Sequence, residues 1–182
     1  MYEAIVFLAE GFEEIEAIGT LDILRRGGVK AASVSLTGQH SVTGAHGITI
    51  QADIILDQLP GIEGTMLIIS CDGSGIAALH KHEILHELLK LHHSDSGKIA
   101  AICAAPTILG KLGILADKTA VCYPSLANNL KAARYGETST VTDGNITTSK
   151  SAGTTMDFAL ELVRIIKGSE AAAKVAVNMQ LI

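Results

Sequence analysis

Aromatic residues are almost missing from this sequence: three Phe, three Tyr and no Trp in 182 residues. Its core must therefore be filled by Ala, Ile, Leu and Val, within a hydrophobic share of 48%. Cysteine is equally sparse. Cys71, Cys103 and Cys122 are odd in number and form no CxxC pair, which argues against a disulfide framework or a structural zinc site. Basic residues are few and scattered, and the formal net charge is −5, so no nucleic-acid footprint is present. No apolar run approaches the ~20 residues of a spanning helix, so no membrane partner is expected. The first residues lack the basic flank and long apolar stretch of a secretory signal. A cytoplasmic location is the expectation, as is one domain over residues 1–182, within the usual range of roughly 100–200 residues per domain.

What is present is a rhythm of short apolar runs and amphipathic stretches. Residues 4–9 are continuously apolar, the pattern of a strand buried on both faces of a parallel sheet. Ile15, Ile18, Leu21, Ile23 and Leu24 then recur at helical spacing, up to Gly27-Gly28, with Arg25 and Arg26 in the last turn. Further strands are predicted at 29–36, 65–69, 98–103, 119–122 and 146–149, with short strands at 43–50. Helices are predicted at about 76–91, from 104 onward, and at 154–167, where Gly168 stops the last one. Such alternation implies a doubly wound α/β domain.

In such sheets chemistry gathers at the carboxyl ends of the strands. Cys103 falls there, after Ile99-Ala100-Ala101-Ile102 and before Ala104-Ala105-Pro106. Two small residues permit a sharp turn, and proline suits a first helical position. Backbone N–H groups and a helix dipole aimed at the sulfur would favour the nucleophilic thiolate. The competing reading is a small buried hydrophobe. Cys122, inside an apolar strand, is read as core.

His82-Glu83-Ile84-Leu85-His86 matches the HExxH zinc-protease pattern, with His92 at the spacing of a third ligand. Leu89 stands where such proteases need glycine, and Leu85, Leu88, Leu89 and Leu91 supply a core face for the same helix. His82, Glu83, His86 and Glu87 then read as its solvated side, and no metal is expected.

Residues 9–17 (AEGFEEIEA), 22–28 (DILRRGG) and 100–106 (AAICAAP), with the final helix from Ser151-Ala152-Gly153-Thr154-Thr155 through Phe158-Ala159-Leu160, resemble the ThiJ/PfpI superfamily. Within it they are most similar to the branch of the Parkinson-disease-associated deglycase and its bacterial relatives. The resemblance implies a flavodoxin-like three-layer sandwich, a mostly parallel sheet with helices on both faces, and a homodimer. It implies Cys103 as nucleophile and Glu16 as its acidic partner. An ionised carboxylate would repel thiolate, so Glu16 serves only as a neutral acid that donates a hydrogen bond. Glu13, Arg26 and His46 fall where family members place polar contacts across the dimer, His46 in place of an arginine.

Three departures bear on function. The residues after the cysteine are Ala104, Ala105 and Pro106, so the histidine of the protease-like branch is missing and a Cys-His peptidase is disfavoured. Tyr123 precedes Pro124 where a histidine often stands. Cys71 and Asp72 occupy the place of a glycine pair that normally supplies backbone donors; with Ala104 and Tyr123 they are the residues expected around the thiol. The resemblance then implies a cofactor-independent enzyme, a glyoxalase III-like hydratase or a deglycase. Its substrate would be a small reactive carbonyl or a glycated protein. The alternative is a sensor of oxidative stress that acts as a redox chaperone on misfolded protein, with Cys71 open as a resolving thiol for Cys103 or as inert filling.

Overall fold

A computed structural model of the chain describes residues 1–71, 75–131 and 134–182. The chain runs β1 (Ala4–Leu8), α1 (Glu14–Arg26), β2 (Ala31–Ser35), β3 (Ser41–Thr43), β4 (Thr49–Gln51), β5 (Ile54–Ile55) and β6 (Met66–Cys71). It continues through α2 (Ile76–Leu79), α3 (Glu83–Ser94), β7 (Ile99–Cys103), α4 (Pro106–Lys111), β8 (Thr119–Ala120) and β9 (Arg134–Tyr135). It closes with β10 (Thr140–Asp143), β11 (Ile146–Ser149), α5 (Thr155–Lys167) and α6 (Ser169–Asn178).

Seven strands form the main sheet in the order β10-β11-β7-β6-β1-β2-β5. All neighbours are parallel except β10, which returns antiparallel to β11 at one edge. The central strands are buried along their whole length, which is why they read as unbroken apolar runs rather than alternating ones. Alternate residues feed two cores. Val6, Ile68 and Ala100 pack with Ile23, Leu24, Phe158 and Leu162 of α1 and α5 on one face. Ile5, Leu67 and Ile99 pack with Leu85, Leu89 and Ile108 of α3 and α4 on the other. That makes three layers. β2 lies on one side of β1 and β6 on the other, so the chain reverses direction across the sheet between β1 and β6. A crevice at the carboxyl ends of the strands is where open α/β sheets hold ligands.

Several sequence expectations need correction. The helix expected over 76–91 is two helices, α2 and α3, broken at residues 80–82. The His82 ring caps α3 by accepting the Leu85 N–H at 3.2 Å, a task more often given to Ser, Thr, Asp or Asn. His82 and His86 are not simply solvated. Their Nε2 atoms lie 3.3 Å from the Leu36 carbonyl oxygen and 2.8 Å from that of Leu79. Both rings thus engage backbone carbonyl oxygens. Leu91 is exposed and His92 is buried in its place. The last helix of the chain is α6, beyond Gly168, whose φ of +93° breaks the helical path. On α1 the buried face is Glu14, Glu16, Ala17, Thr20, Ile23 and Leu24, while Ile15 and Ile18 face outward.

Candidate active site

Cys103 ends β7 with φ +64°, the left-handed region that costs a non-glycine residue about 1–2 kcal/mol. The strain has a consequence for direction. By strand alternation, position 103 belongs to the face of Ile99 and Ala101, which pack in the α3/α4 core. Cys103 instead joins the core of the α1/α5 face, with Phe12 and Ala17. The inverted backbone turns the thiol toward the start of α1. A tight turn follows, with Ala105 N–H donating to the Ile102 carbonyl at 3.2 Å and Pro106 opening α4. The Cys103 carbonyl accepts the Tyr123 N–H at 2.8 Å, which ties the loop at 123 to the elbow. Cys103 is 7% exposed. The expected helix dipole is weak, because α4 has only six residues.

Glu16 lies in the first turn of α1 on its buried face and is 0% exposed. Its backbone N–H is capped by Glu13 Oε2 at 2.7 Å, so Glu13 fixes the turn that carries Glu16. Cys71 is buried at the end of β6, in strand register with Cys103. Ala104 is fully buried in the elbow, and Tyr123 is 46% exposed. Asp72 lies outside the described residues. His46 sits beside Glu13 and Glu14. Arg26, at the far end of α1 and paired with Asp22 at 2.6 Å, is about 18 Å from that group by helical rise.

Two contributors escaped the sequence reading. Glu14, to which the sequence reading gave no role, is 5% exposed. It accepts hydrogen bonds from the His46 N–H at 2.7 Å and the Ile48 N–H at 3.5 Å, and pairs with the His46 ring at 2.7 Å. Burial works to raise its pKa, but the hydrogen bonds from the His46 ring and from the His46, Glu14 and Ile48 N–H groups together hold the carboxyl below its ordinary value. Gly44 makes room for it, since a β-carbon there would lie 2.4 Å from Glu14 Oε1. Gly75 is the second. A β-carbon at Gly75 would stand 2.5 Å from the Gly11 carbonyl oxygen, so only glycine lets this loop approach the segment leading into Glu13. The signal for both was a glycine next to a turn, which names a turn but not its neighbour.

A concavity of about 400 Å³ is lined by Ile62, Thr65, His92 and Lys98 at the amino end of the sheet, the end opposite Cys103.

Fold and elbow together define a flavodoxin-like α/β protein with a thiol at a strained strand end, in the same core as the helix that bears a buried carboxyl group. The chain belongs to the DJ-1/PfpI family, whose model matches residues 2–165. It is 34% identical to Protein dj-1beta of Drosophila melanogaster, over 95% of this chain and 94% of that one. It is 32% identical to the glutathione-independent glyoxalase DJR-1.2 of Caenorhabditis elegans, over 88% of this chain and 86% of the other. Among solved structures, oxidized DJ-1 of Toxoplasma gondii superposes with a TM-score of 0.92 at 28% identity, covering 99% of this chain and 98% of that one. Drosophila DJ-1beta superposes at 0.91 with 33% identity and the same coverage.

Proposed function

We propose that this protein is a cofactor-independent cysteine enzyme acting on small reactive aldehydes such as glyoxals, with Cys103 as nucleophile and Glu16 as proton partner. The observation that carries the reading is the left-handed backbone at Cys103, which spends conformational strain to turn one thiol toward the helix bearing a fully buried glutamate. The similarity to a relative named as a glyoxalase supports the substrate class. In this reading the Cys103 thiolate adds to the aldehyde carbon, a C–S bond forms, and the carbonyl oxygen takes up a proton to give a hemithioacetal. Glu16, neutral at rest, supplies that proton and, then a carboxylate, moves the C–H proton of the adduct to the neighbouring carbonyl carbon, with its oxygen protonated in turn, so that the hemithioacetal becomes the thioester of a 2-hydroxy acid. Water then hydrolyses the thioester, which releases the hydroxy acid and returns the thiol. Removal of early glycation adducts from proteins would reach the same adduct on Cys103, with the protein's amine or thiol as the protonated leaving group.

The test is turnover of methylglyoxal by the wild type, Cys103→Ser and Glu16→Gln, with folding checked by circular dichroism. Turnover lost in both folded variants supports the reading; full activity in Cys103→Ser refutes it.

A second reading, an oxidation sensor and redox chaperone, is favoured by the likeness to a DJ-1 solved in its oxidized form. Peroxide would carry the Cys103 thiolate to sulfenate and sulfinate, with Glu16 donating to the new oxygen. A folded protein with no turnover but clean conversion of Cys103 to sulfinate would select it.

The proposal extends to assembly in the cytoplasm as a homodimer. Ile15 at 55%, Ile18 and Ile48 are exposed large apolar side chains, Ile15 next to Glu14 and Ile48 two residues from His46 in sequence. A patch of this kind is what a second copy would cover, with Glu13, Arg26 and His46 as its polar contacts. Among the described residues no helix is long and apolar enough to cross a membrane.

A further inference from the structure

β8 stops at Ala120, and residues 121–123 run on outside any strand ladder. Two side-chain hydroxyls stand in there for a neighbouring strand. The buried Val121 N–H donates to Thr148 Oγ1 at 2.9 Å, and the Cys122 carbonyl accepts the Tyr135 hydroxyl at 3.0 Å. The Tyr123 N–H in turn donates to the Cys103 carbonyl at 2.8 Å. The Cys122 carbonyl and the Tyr123 N–H belong to one peptide unit, which is planar and turns only as a whole. Whatever aims that carbonyl therefore aims the N–H that meets Cys103. A peptide that accepts at its oxygen is also polarised into a stronger donor at its nitrogen.

We propose that Tyr135 is a positioning residue for Cys103, acting through the 122–123 peptide rather than on the reacting atoms. The proposal rests on the reading of Cys103 as the nucleophile. A backbone in an unfavourable region persists only where its surroundings over-determine it, and the carbonyl of the strained Cys103 is one of the groups so held. Tyr135 is itself well fixed. The Arg134 and Gly136 N–H groups on either side of it donate to the Lys118 and Ala120 carbonyls at 2.8 and 2.9 Å, which seats β9 against β8. The Lys150 ammonium lies 5.8 Å from the centre of its ring and donates to the Glu137 carbonyl at 3.0 Å. Burial, with Cys122 beside it, holds the phenol above its ordinary pKa, so the hydroxyl stays a donor at neutral pH. Thr148, 1% exposed, secures the same segment one residue earlier.

The test is Tyr135→Phe, which keeps the ring and removes only the hydroxyl, in the intact protein. Iodoacetamide labelling of each cysteine and methylglyoxal kinetics are both read. One neutral hydrogen bond of ordinary net strength converts to about 2–10-fold in a rate, and Cys103 labelling and kcat should each fall by that much. KM should stay put, and so should the labelling of Cys71, which packs on the other face of the sheet. Thr148→Val should act in the same direction and Thr148→Ser, which keeps a hydroxyl, should not; this pair guards against a folding defect in the first variant. Labelling needs no turnover, so the two proposals can fail separately. A wild type without glyoxalase activity whose Cys103 still slows in Tyr135→Phe would support the positioning role while refuting the enzyme. Unchanged Cys103 labelling in folded Tyr135→Phe and Thr148→Val, or an equal rise at all three cysteines, would overturn the proposal.

Discussion

Cys71 and Cys103 are register partners on adjacent parallel strands, yet their side chains belong to opposite faces of the sheet. Neighbouring strands stand about 4.8 Å apart, inside the α-carbon window of a disulfide. Backbone spacing alone would allow a bridge. The inverted φ at Cys103 removes it, since Cys71 packs in the α3/α4 core and Cys103 in the α1/α5 core. Under peroxide, Cys103 should therefore gain oxygen atoms rather than pair with Cys71. Intact-mass analysis checks this: stepwise gain of oxygen is expected, and loss of two hydrogens with a linked Cys71–Cys103 peptide would contradict it.

Gly75→Ala should be costly although the backbone φ there is ordinary, −83°. The added methyl group meets the Gly11 and Glu10 carbonyl oxygens at 2.5 and 3.2 Å, and backbone cannot step aside as a side chain can. A loss of about 1–3 kcal/mol is expected by urea denaturation, together with lower turnover, because the displaced segment leads into Glu13 and Glu16. Unchanged stability would show that the loop shifts freely.

Glu14 should contribute to the acid sensitivity of the fold. Its folded pKa lies below the ordinary 4.5, so its contribution is present above that value and is lost as pH falls through the folded pKa. Glu3, Asp53 and Glu161 are lowered as well, so the readout is a difference. Between pH 5 and pH 3, taken as roughly the window of carboxylate titration, Glu14→Gln should lose less stability than the wild type. Parallel curves would contradict the assignment.

Cys122 should behave as an inert thiol. Burial pushes its pKa up from 9.0 to about 11. Its neutral form is favoured by the fold, so the associated stability is complete below 9.0 and declines as pH rises toward 11. Over that range the wild type should lose stability more steeply than Cys122→Ala in thermal melts. Equal slopes would show that this thiol is open to water in the folded protein.

Much of this architecture was legible because buried parallel strands leave a plain mark. Residues 4–9, 65–69 and 98–103 read as strands, and β1, β6 and β7 lie there with Cys103 at the end of the last. The breaks were harder to read. Nothing in Lys81-His82 resembles a helix start, because the cap is an imidazole accepting one N–H, which no propensity scale weights. α6 buries only Val175 and Ala176, too little to print a periodic stripe. β10 is a short edge strand whose partners are fixed by tertiary contact. The outward Ile15 and Ile18 were counted with the helix's apolar residues because periodicity does not distinguish a buried apolar position from an exposed one. Glu14 was missed since its partner, the 44–48 loop, lies about 30 residues away in sequence.

The central claim concerns one sulfur, and competitive labelling addresses it most directly. The wild-type protein is exposed to limiting iodoacetamide at neutral pH, and each cysteine peptide is quantified by mass spectrometry over time. Cys103 should be modified well before Cys71 and Cys122, with its lead altered in Glu16→Gln. If Cys103 reacts no faster than the enclosed Cys122, the strained elbow does not present a nucleophile and the proposed chemistry is wrong.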